Sequence, residues 1–467
     1  MNNPATIRSF LVNTTREGKS RLYGADAKVN GPLFSLPGGE LLSAFGMEYR
    51  HEDLEDHFDP FATTGGVIDL NFTSASGSRD IIAGFAEFYA SIVSNAMAIP
   101  GIHKLEVQVA LRGENYSDFG STVNPKIGLA WQPIPDWLLV RAAWSTGFRA
   151  PSLVQSSTGS LTFSQDLRDT RRFEVTGLPE DESSALQILS GGNPDLDAED
   201  SENFSAGLVL TPPMVPGLTL SADFFHIEIE NSIASLDPQF ILDNEGDFPG
   251  LVVRAPPSAN DLILGIPGNV LLVNTSFQNL GFIQVEGVDA MVEYVTPKTP
   301  VGTFTLRMDG AYMNSFEQQS SEGEPVRELV GTFARPRFRG RAQLGWRIGG
   351  LEAITTFNYI GSYEDSTADR TVSYSTTVDV LLEYRFAKAQ PRVARVAVDG
   401  KTDAGKKMVE SVSQTQRGGW LDGLAVRVGV RNIFDDPPSF ANNVAGYSVP
   451  LEDPRQRFVF LDIEKKF

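Results

Sequence analysis

From Val123 to Trp131 the residues Val123, Pro125, Ile127, Leu129 and Trp131 alternate with Asn124, Lys126, Gly128 and Ala130. A period of two marks a strand with two unlike faces. Gln132, Pro133, Ile134, Pro135 and Asp136 then form a tight connection. Leu138, Val140, Ala142 and Trp144 resume the alternation against Arg141, Ala143 and Ser145. The pair is a hairpin with one apolar and one polar face. In a sandwich the apolar face meets a second sheet; in a membrane barrel it meets lipid.

The same pattern predicts about fifteen strands. They lie near 20–30, 39–52, 79–94, 102–118, 122–132, 136–147, 201–211, 217–230, 281–296, 302–315, 335–348, 351–363, 373–386, 421–433 and 456–467. Residues 5–14 offer a weak sixteenth. Mostly short connections (31–38, 95–101, 133–135, 212–216, 297–301, 349–350) alternate strictly with mostly long ones (53–78, 148–200, 231–280, 316–334, 434–455). The segments 119–121 and 364–372 are shorter members of the long set. This is the asymmetry of an outer-membrane barrel, with short periplasmic turns and long extracellular loops. One turn breaks the rule. Residues 387–420 carry Lys388, Arg392, Arg395, Lys401, Lys406, Lys407 and Arg417. Disorder is the expectation there, and docking to a periplasmic partner is the sharper reading.

Parity assigns the faces. Over 335–348, Phe338, Gly340, Ala342, Leu344, Trp346 and Ile348 share one side, and Arg335, Arg337, Arg339, Arg341, Gln343 and Arg347 the other. Five guanidiniums do not sit in hydrocarbon, so their side faces a wet lumen. Arg141 and Arg427 are expected inward with them, and Val426 and Val428 outward with Leu138, Val140 and Ala142. Asp309, Glu352, Asp379 and Glu383 are inward carboxylates on nearby strands. A structural charge ladder is the first reading of the arginines. The second is that Arg335, Arg337, Arg339, Arg341 and Arg347 line the path of an anionic ligand.

Composition fits this picture. Of 467 residues, 59 are acidic and 39 basic, which argues against nucleic-acid binding. The 43 Gly and 28 Pro suit many turns, and 30 Phe suit aromatic girdles at two membrane interfaces. Cysteine is absent, so there is no disulfide and no thiolate metal site. No apolar run is long enough for a transmembrane helix, as a barrel requires. No catalytic constellation or cofactor motif stands out, and the chain is not expected to be an enzyme. His51 and His57 lie among carboxylates in RHEDLEDHFD, placed in a loop where a charge run is normally solvated.

The residues themselves carry a resemblance. NPKIGLAW, a Pro turn and LLVRAAWSTGFRAPSL are similar to the hallmark hairpin of TonB-dependent outer-membrane receptors. LPGGELLSAFGMEYR (36–50), LRGENYSDFG (111–120), GNPDLDAEDSENFSAGL (192–208) and VRNIFDDPP (430–438) resemble other strands of that family. Pro125, Gly147, Phe148, Arg149, Pro151, Asn432 and Phe434 fall on its motifs. Phe467, a terminal aromatic on the outward face, resembles the signal read by the outer-membrane assembly machinery.

The resemblance implies a 22-strand barrel with a plug. MNNPATIRSFLVNTTREGKS has neither a signal peptide nor a plug ahead of the strands. The expectation is therefore the C-terminal part of such a barrel. It would be an all-β, antiparallel, transmembrane fold with about 15–16 of 22 strands, one partial domain over 1–467. Strands 20–30 and 456–467 run the same way, so the sheet is expected open, with unpaired ends. The implied function is energised uptake of a scarce nutrient of siderophore, cobalamin or oligosaccharide class, in a truncated form not competent alone. The alternatives are a passive pore or a non-functional remnant. The implied partners are the outer-membrane bilayer, the assembly machinery, a nutrient at the extracellular loops, and, for a full-length form, the inner-membrane energy-coupling complex. In the family such loops fold over the barrel mouth and hold ligand, so Phe163, Phe173, Phe240, Phe248 and Phe277 in 148–200 and 231–280 are aromatic candidates for contact, with packing of the loops against each other an equal reading.

Overall fold

The computed structural model of the chain describes residues 3, 6, 11–319, 325–365, 370–386, 392–397, 409–414, 420–443 and 445–466. Fifteen strands form its wall: β1 (Arg16–Leu36), β2 (Gly39–Phe58), β3 (Ala75–Val93), β4 (Lys104–Tyr116), β5 (Gly120–Ile134), β6 (Leu138–Arg149), β7 (Glu199–Leu210), β8 (Leu218–Ala234), β9 (Gln278–Val295), β10 (Thr303–Gln319), β11 (Phe338–Ile348), β12 (Leu351–Ile360), β13 (Ser375–Arg385), β14 (Leu424–Arg431) and β15 (Phe458–Lys465). Each pairs antiparallel with the next along the chain, and the short strand Arg327–Glu328 adds to β10. Among the described residues β1 pairs in the wall only with β2, and β15 only with β14. The sheet is all-β, antiparallel and open, and its two edge strands run in the same direction.

Alternation sorts the wall into an outward apolar face and an inward polar face. On β11 the outward row runs from Phe338 to Trp346, eight residues apart. At about 3.3 Å per residue that is about 26 Å, close to the height of a barrel's apolar band. Aromatic rings mark both limits. At the long-loop end Phe338 meets Tyr359 at 5.8 Å and Tyr359 meets Tyr374 at 6.0 Å. At the short-turn end the indole N–H of Trp346 donates to the Val301 carbonyl (2.8 Å) and that of Trp131 to the Gly101 carbonyl (3.0 Å). On β8 the outward row Leu218, Leu220, Ala222, Phe224 turns polar at His226, whose Nδ1 lies 3.0 Å from Glu286. The long strands therefore continue past the band. Inside, close packing needs small residues at single points. A Cβ on Gly46 would lie 2.1 Å from the Phe85 ring.

Several expectations change. β1 and β2 are longer than their alternation suggested, so His51 and His57 belong to β2 and not to a loop. His51 sits against Asp80 (2.8 Å) and stacks on Tyr23. Residues 11–15 are irregular, and no strand forms in 5–14 among the described residues. The disorder expected over 387–420 is corrected for its described part. Arg392–Ala397 pairs antiparallel with Val409–Gln414, two segments whose repeated valines favour strand. Phe467 lies outside the described residues.

The two longest loops are not irregular either. Leu70–Thr73, Ser160–Leu167, Ser184–Gly191, Val252–Arg254 and Val270–Asn274 combine into a five-stranded sheet at the long-loop end. Its contacts join three different loops, including a parallel pairing of Gln187–Leu189 with Leu272–Asn274. Leu167, Ile188, Ile241, Leu242, Phe248, Val270 and Val273 form a buried core beneath it. This is a folded lobe with its own apolar interior.

Candidate functional site

The concave face of the wall is where the chemistry concentrates. Its arginines are placed opposite carboxylates by register. Arg141 holds Asp223 through two bonds of 2.7 Å. Arg307 reaches Glu293 (3.2 Å) and Asp309 (3.1 Å), and Arg341 reaches the same Asp309 (3.1 Å). Arg347 pairs with Glu352 at 2.6 Å. Arg427 bridges three strands through Glu383, Asp462 and Glu464. Each pair compensates charge at a solvated wall, where such contacts are individually weak.

Five arginines proposed for a ligand path part company here. Pro336 donates no backbone bond and β11 begins only at Phe338, so Arg335 and Arg337 precede the strand. Arg335 lies 5.1 Å over the Phe316 ring, and Arg337 6.0 Å from the Tyr312 ring with a bond to the Asn314 carbonyl. Arg341 and Arg347 are paired as above. Arg335 and Arg339 make no side-chain ion pair or hydrogen bond among the described residues, and of the two only Arg335 lies over an aromatic ring.

Arg339 lines a cavity of about 970 Å³ on the concave face beneath loop 432–457. Asp223, Asp289, Arg307, Asp309, Arg341, Asp379, Arg431, Asp436, Glu452 and Asp453 also contribute, with Gln343, Thr356, Asn358, Ser375 and Thr377 as neutral polar groups. Most carboxylates are held. Asp379 accepts from Asn358 (3.0 Å) and the Asn432 amide (2.8 Å), and Glu452 from the Ser439 amide (3.0 Å). The Arg455 guanidinium holds the Asp453 carboxyl down at about 2, so the rim is charged at any ordinary pH. Asp289 and Asp436 keep side chains without an ion pair or hydrogen bond among the described residues. So do Arg339 and Arg431, apart from the Arg431 contact with the Phe460 ring at 5.9 Å. Arg431 also acts at longer range on Asp453, helping to hold its carboxyl down.

Part of the motif set, Phe148, Arg149 and Pro151, gathers at the lobe's base. Tyr116, Phe119 and Phe148 form one aromatic group. Arg149 grips Glu199, whose carboxylate also accepts from the Ile233 amide at 2.7 Å. Buried Arg79 donates to the Pro151 carbonyl at 2.7 Å and pairs with Glu52. Asn432 has φ of 49° and bonds both backbone groups of Asp436, fixing the exit from β14. Gly147 faces Ser201 across the ladder, Pro125 lies in β5, and Phe434 is exposed. Arg79 and Glu199 were not singled out in the sequence, because each acts across strands far apart in the chain.

The aromatic ligand candidates are mostly structural. Phe163, Phe240 and Phe248 belong to the lobe's apolar core, and Phe173 lies under Arg168. Phe277 is half-buried, and its carbonyl accepts from Asn193. Two arginines are buried in the same lobe. Arg254 joins Asp169 (2.6 Å) and Glu245 (2.9 Å), and Arg172 joins Asp181 and Asp261 (both 3.0 Å). Burial is the largest single influence on Glu245 and opposes its ionisation, but the bonds and charges of Arg254 and Arg171 together outweigh it and hold the carboxyl below its usual range.

A family model described as TonB dependent receptor-like, beta-barrel matches residues 2–405. The iron-regulated outer membrane virulence protein of Vibrio cholerae is 23% identical over 461 residues, covering 97% of this chain and 54% of that protein. The ferric enterobactin receptor PirA of Pseudomonas aeruginosa is 27% identical over 257 residues, 54% of this chain and 31% of that receptor. Among solved structures, the siderophore receptor PirA from Acinetobacter baumannii aligns with a TM-score of 0.59 at 15% identity, over 96% of this chain and 55% of that one. The ferric enterobactin receptor PfeA in complex with BCV-L6 gives 0.61 at 18%, over 96% and 54%. At such identity these likenesses show the fold. The chain spans only 31% to 54% of the length of those curated relatives. The expectation of a C-terminal remainder lacking plug, signal peptide and early strands is overturned. The barrel model matches from residue 2, and the Vibrio relative aligns over 97% of the chain. The match to a receptor-like barrel thus extends over most of this chain.

Proposed function

The chain belongs to the TonB-dependent receptor-like β-barrel family, and from that premise we propose that it acts in capture and uptake of a scarce nutrient. Members of the family are transport proteins of the Gram-negative outer membrane, not enzymes. The observation that carries the reading is the cavity of about 970 Å³ on the concave face, close in size to a small-molecule site. In this reading residues 1–467 act as one barrel domain set in the outer-membrane bilayer, placed there by the assembly machinery. The nutrient enters past the long extracellular loops and contacts Arg339, Arg431, Asp289 and Asp436. The lobe roofs the neighbouring part of the mouth. Energy for uptake comes from the inner-membrane coupling complex. The names of the relatives, an iron-regulated protein and a ferric enterobactin receptor, support an iron chelate as the nutrient class.

The test is uptake of radiolabelled iron chelates by iron-starved cells that rely on this protein. Accumulation that stops when a protonophore collapses the inner-membrane gradient is the expected result. Accumulation indifferent to the protonophore would point to a passive pore and overturn the proposal.

A further inference from the structure

The ends of the wall carry opposite charge. The connections at the long-loop end, 59–74, 117–119, 150–198, 235–277, 320–337, 361–374 and 432–457, hold twenty-six acidic residues and ten basic ones. Those at the short-turn end hold five acidic and eight basic, most of them within 386–423. General acidity of the chain would load both ends alike, and it does not. The excess negative charge is concentrated where a ligand arrives.

The cavity repeats the imbalance. Seven carboxylates and four guanidiniums line it. Asp223, Asp309, Asp379, Glu452 and Asp453 are already engaged by arginines, amides or backbone N–H groups. Arg307 and Arg341 are engaged by Asp309. Among the described residues Arg339, Arg431, Asp289 and Asp436 remain without an ion pair or hydrogen bond, and Arg431 acts on Asp453 only at longer range. By register Asp289, Ala311 and Arg339 lie in one row, two strand spacings apart from first to last. That is about 10 Å between the backbones of Asp289 and Arg339, wide enough for a ligand group between them. A polyanion entering this site would meet an acidic mouth first and two unpaired carboxylates afterwards. A cationic ligand would be drawn in by the mouth, a neutral one would be admitted without repulsion, and either could use both kinds of group.

We propose that the nutrient is a neutral or cationic chelate, and that the acidic mouth selects against polyanionic ones. The inference rests on the reading of the concave-face cavity as a nutrient-binding vestibule and narrows it. Clefts lined by one sign of charge change association rates by about 10 to 1,000-fold, an effect that salt removes.

The experiment uses the full chain in lipid nanodiscs and follows quenching of its tryptophans. The probes are three iron chelates of similar size, one trianionic, one neutral and one monocationic. At low ionic strength the cationic and neutral chelates should bind at least about tenfold faster than the trianion, with the gap closing as salt is raised. The variant combining Asp289→Asn and Asp436→Asn should narrow the remaining difference in dissociation rate. Asp136→Asn, at the short-turn end, should leave it unchanged. Tightest binding of the trianion, or rates independent of both charge and salt, overturns the charge inference while leaving a ligand-binding vestibule. Failure of all three probes to bind overturns the vestibule reading itself, and this inference with it.

Discussion

The lobe and the wall use the same bond between arginine and carboxylate in opposite settings. In the lobe, Arg254 and Arg172 have side chains 10% and 11% exposed, wedged between two acidic partners each. On the wall, Arg141 and Arg341 are 49% and 45% exposed. A buried pair cannot lose one member cheaply, because the survivor keeps its charge without water. An exposed pair can, because water takes over. Most of the wall therefore stands on backbone ladders and its apolar band, with ion pairs as local trim, and buried Arg79 with Glu52 at the lobe's base is an exception. The lobe depends on each of its buried charges.

The comparison breaks most visibly at Arg254. Arg254→Ala should destabilise the lobe by about 3–5 kcal/mol, by stranding Asp169 and leaving Glu245 only the more exposed Arg171. Hydrogen exchange should rise over 160–191 and 252–274 while the wall strands stay protected. Next comes Ile188, which is fully buried. Ile188→Ala should cost about 2–5 kcal/mol, read by the same exchange pattern.

Acid gives a smaller and graded test. The carboxyl of Glu245 titrates lower in the folded lobe than in an open chain, so its stabilisation is complete above the usual carboxylate range, about pH 4.3, and is lost as pH falls through the folded value. Lobe exchange at pH 3 should exceed that at pH 6, beyond the change seen in the wall. The smallest effect belongs to Arg341→Gln, expected at about 1 kcal/mol or less and weaker in salt, measured as a shift in thermal unfolding. A cost comparable to that of Arg254→Ala would show that burial is not what separates the two regions.

The wall was readable because membrane strands repeat one rule. Each of the fifteen strands obeys a period of two, and neighbours in sequence are neighbours in the sheet, so Val426 and Leu344 declare their faces locally. The inward carboxylates Asp309 and Glu352 likewise found the arginines that parity set opposite them. The lobe obeys no such rule. Leu70 pairs with Phe163 and Gln187 with Leu272, and nothing in a window of ten residues announces partners so distant. Phe163, Phe240 and Phe248 therefore looked like candidates for a ligand, when their chemistry is consumed in a core. At the cavity, parity found Arg339 and Arg341 but could not show which of them was left without a partner. That depends on reach across the pleat. Arg341 finds Asp309, whereas Arg339 faces Ala311 and Ile360 in register.

The weaving of the lobe from three loops also sets an order in time. Neighbouring wall strands meet mostly over short connections and can zip in sequence. The pairing of Leu70 with Phe163, or of Gln187 with Leu272, must close about ninety residues of chain before any contact rewards it. Strands β2 to β9 shorten that search by holding the loop ends on one rim. The lobe is thus the late step of folding. Until it closes, its apolar residues and three pairs of loop ends lie open to proteases, and a nascent molecule differs from a mature one chiefly at this face.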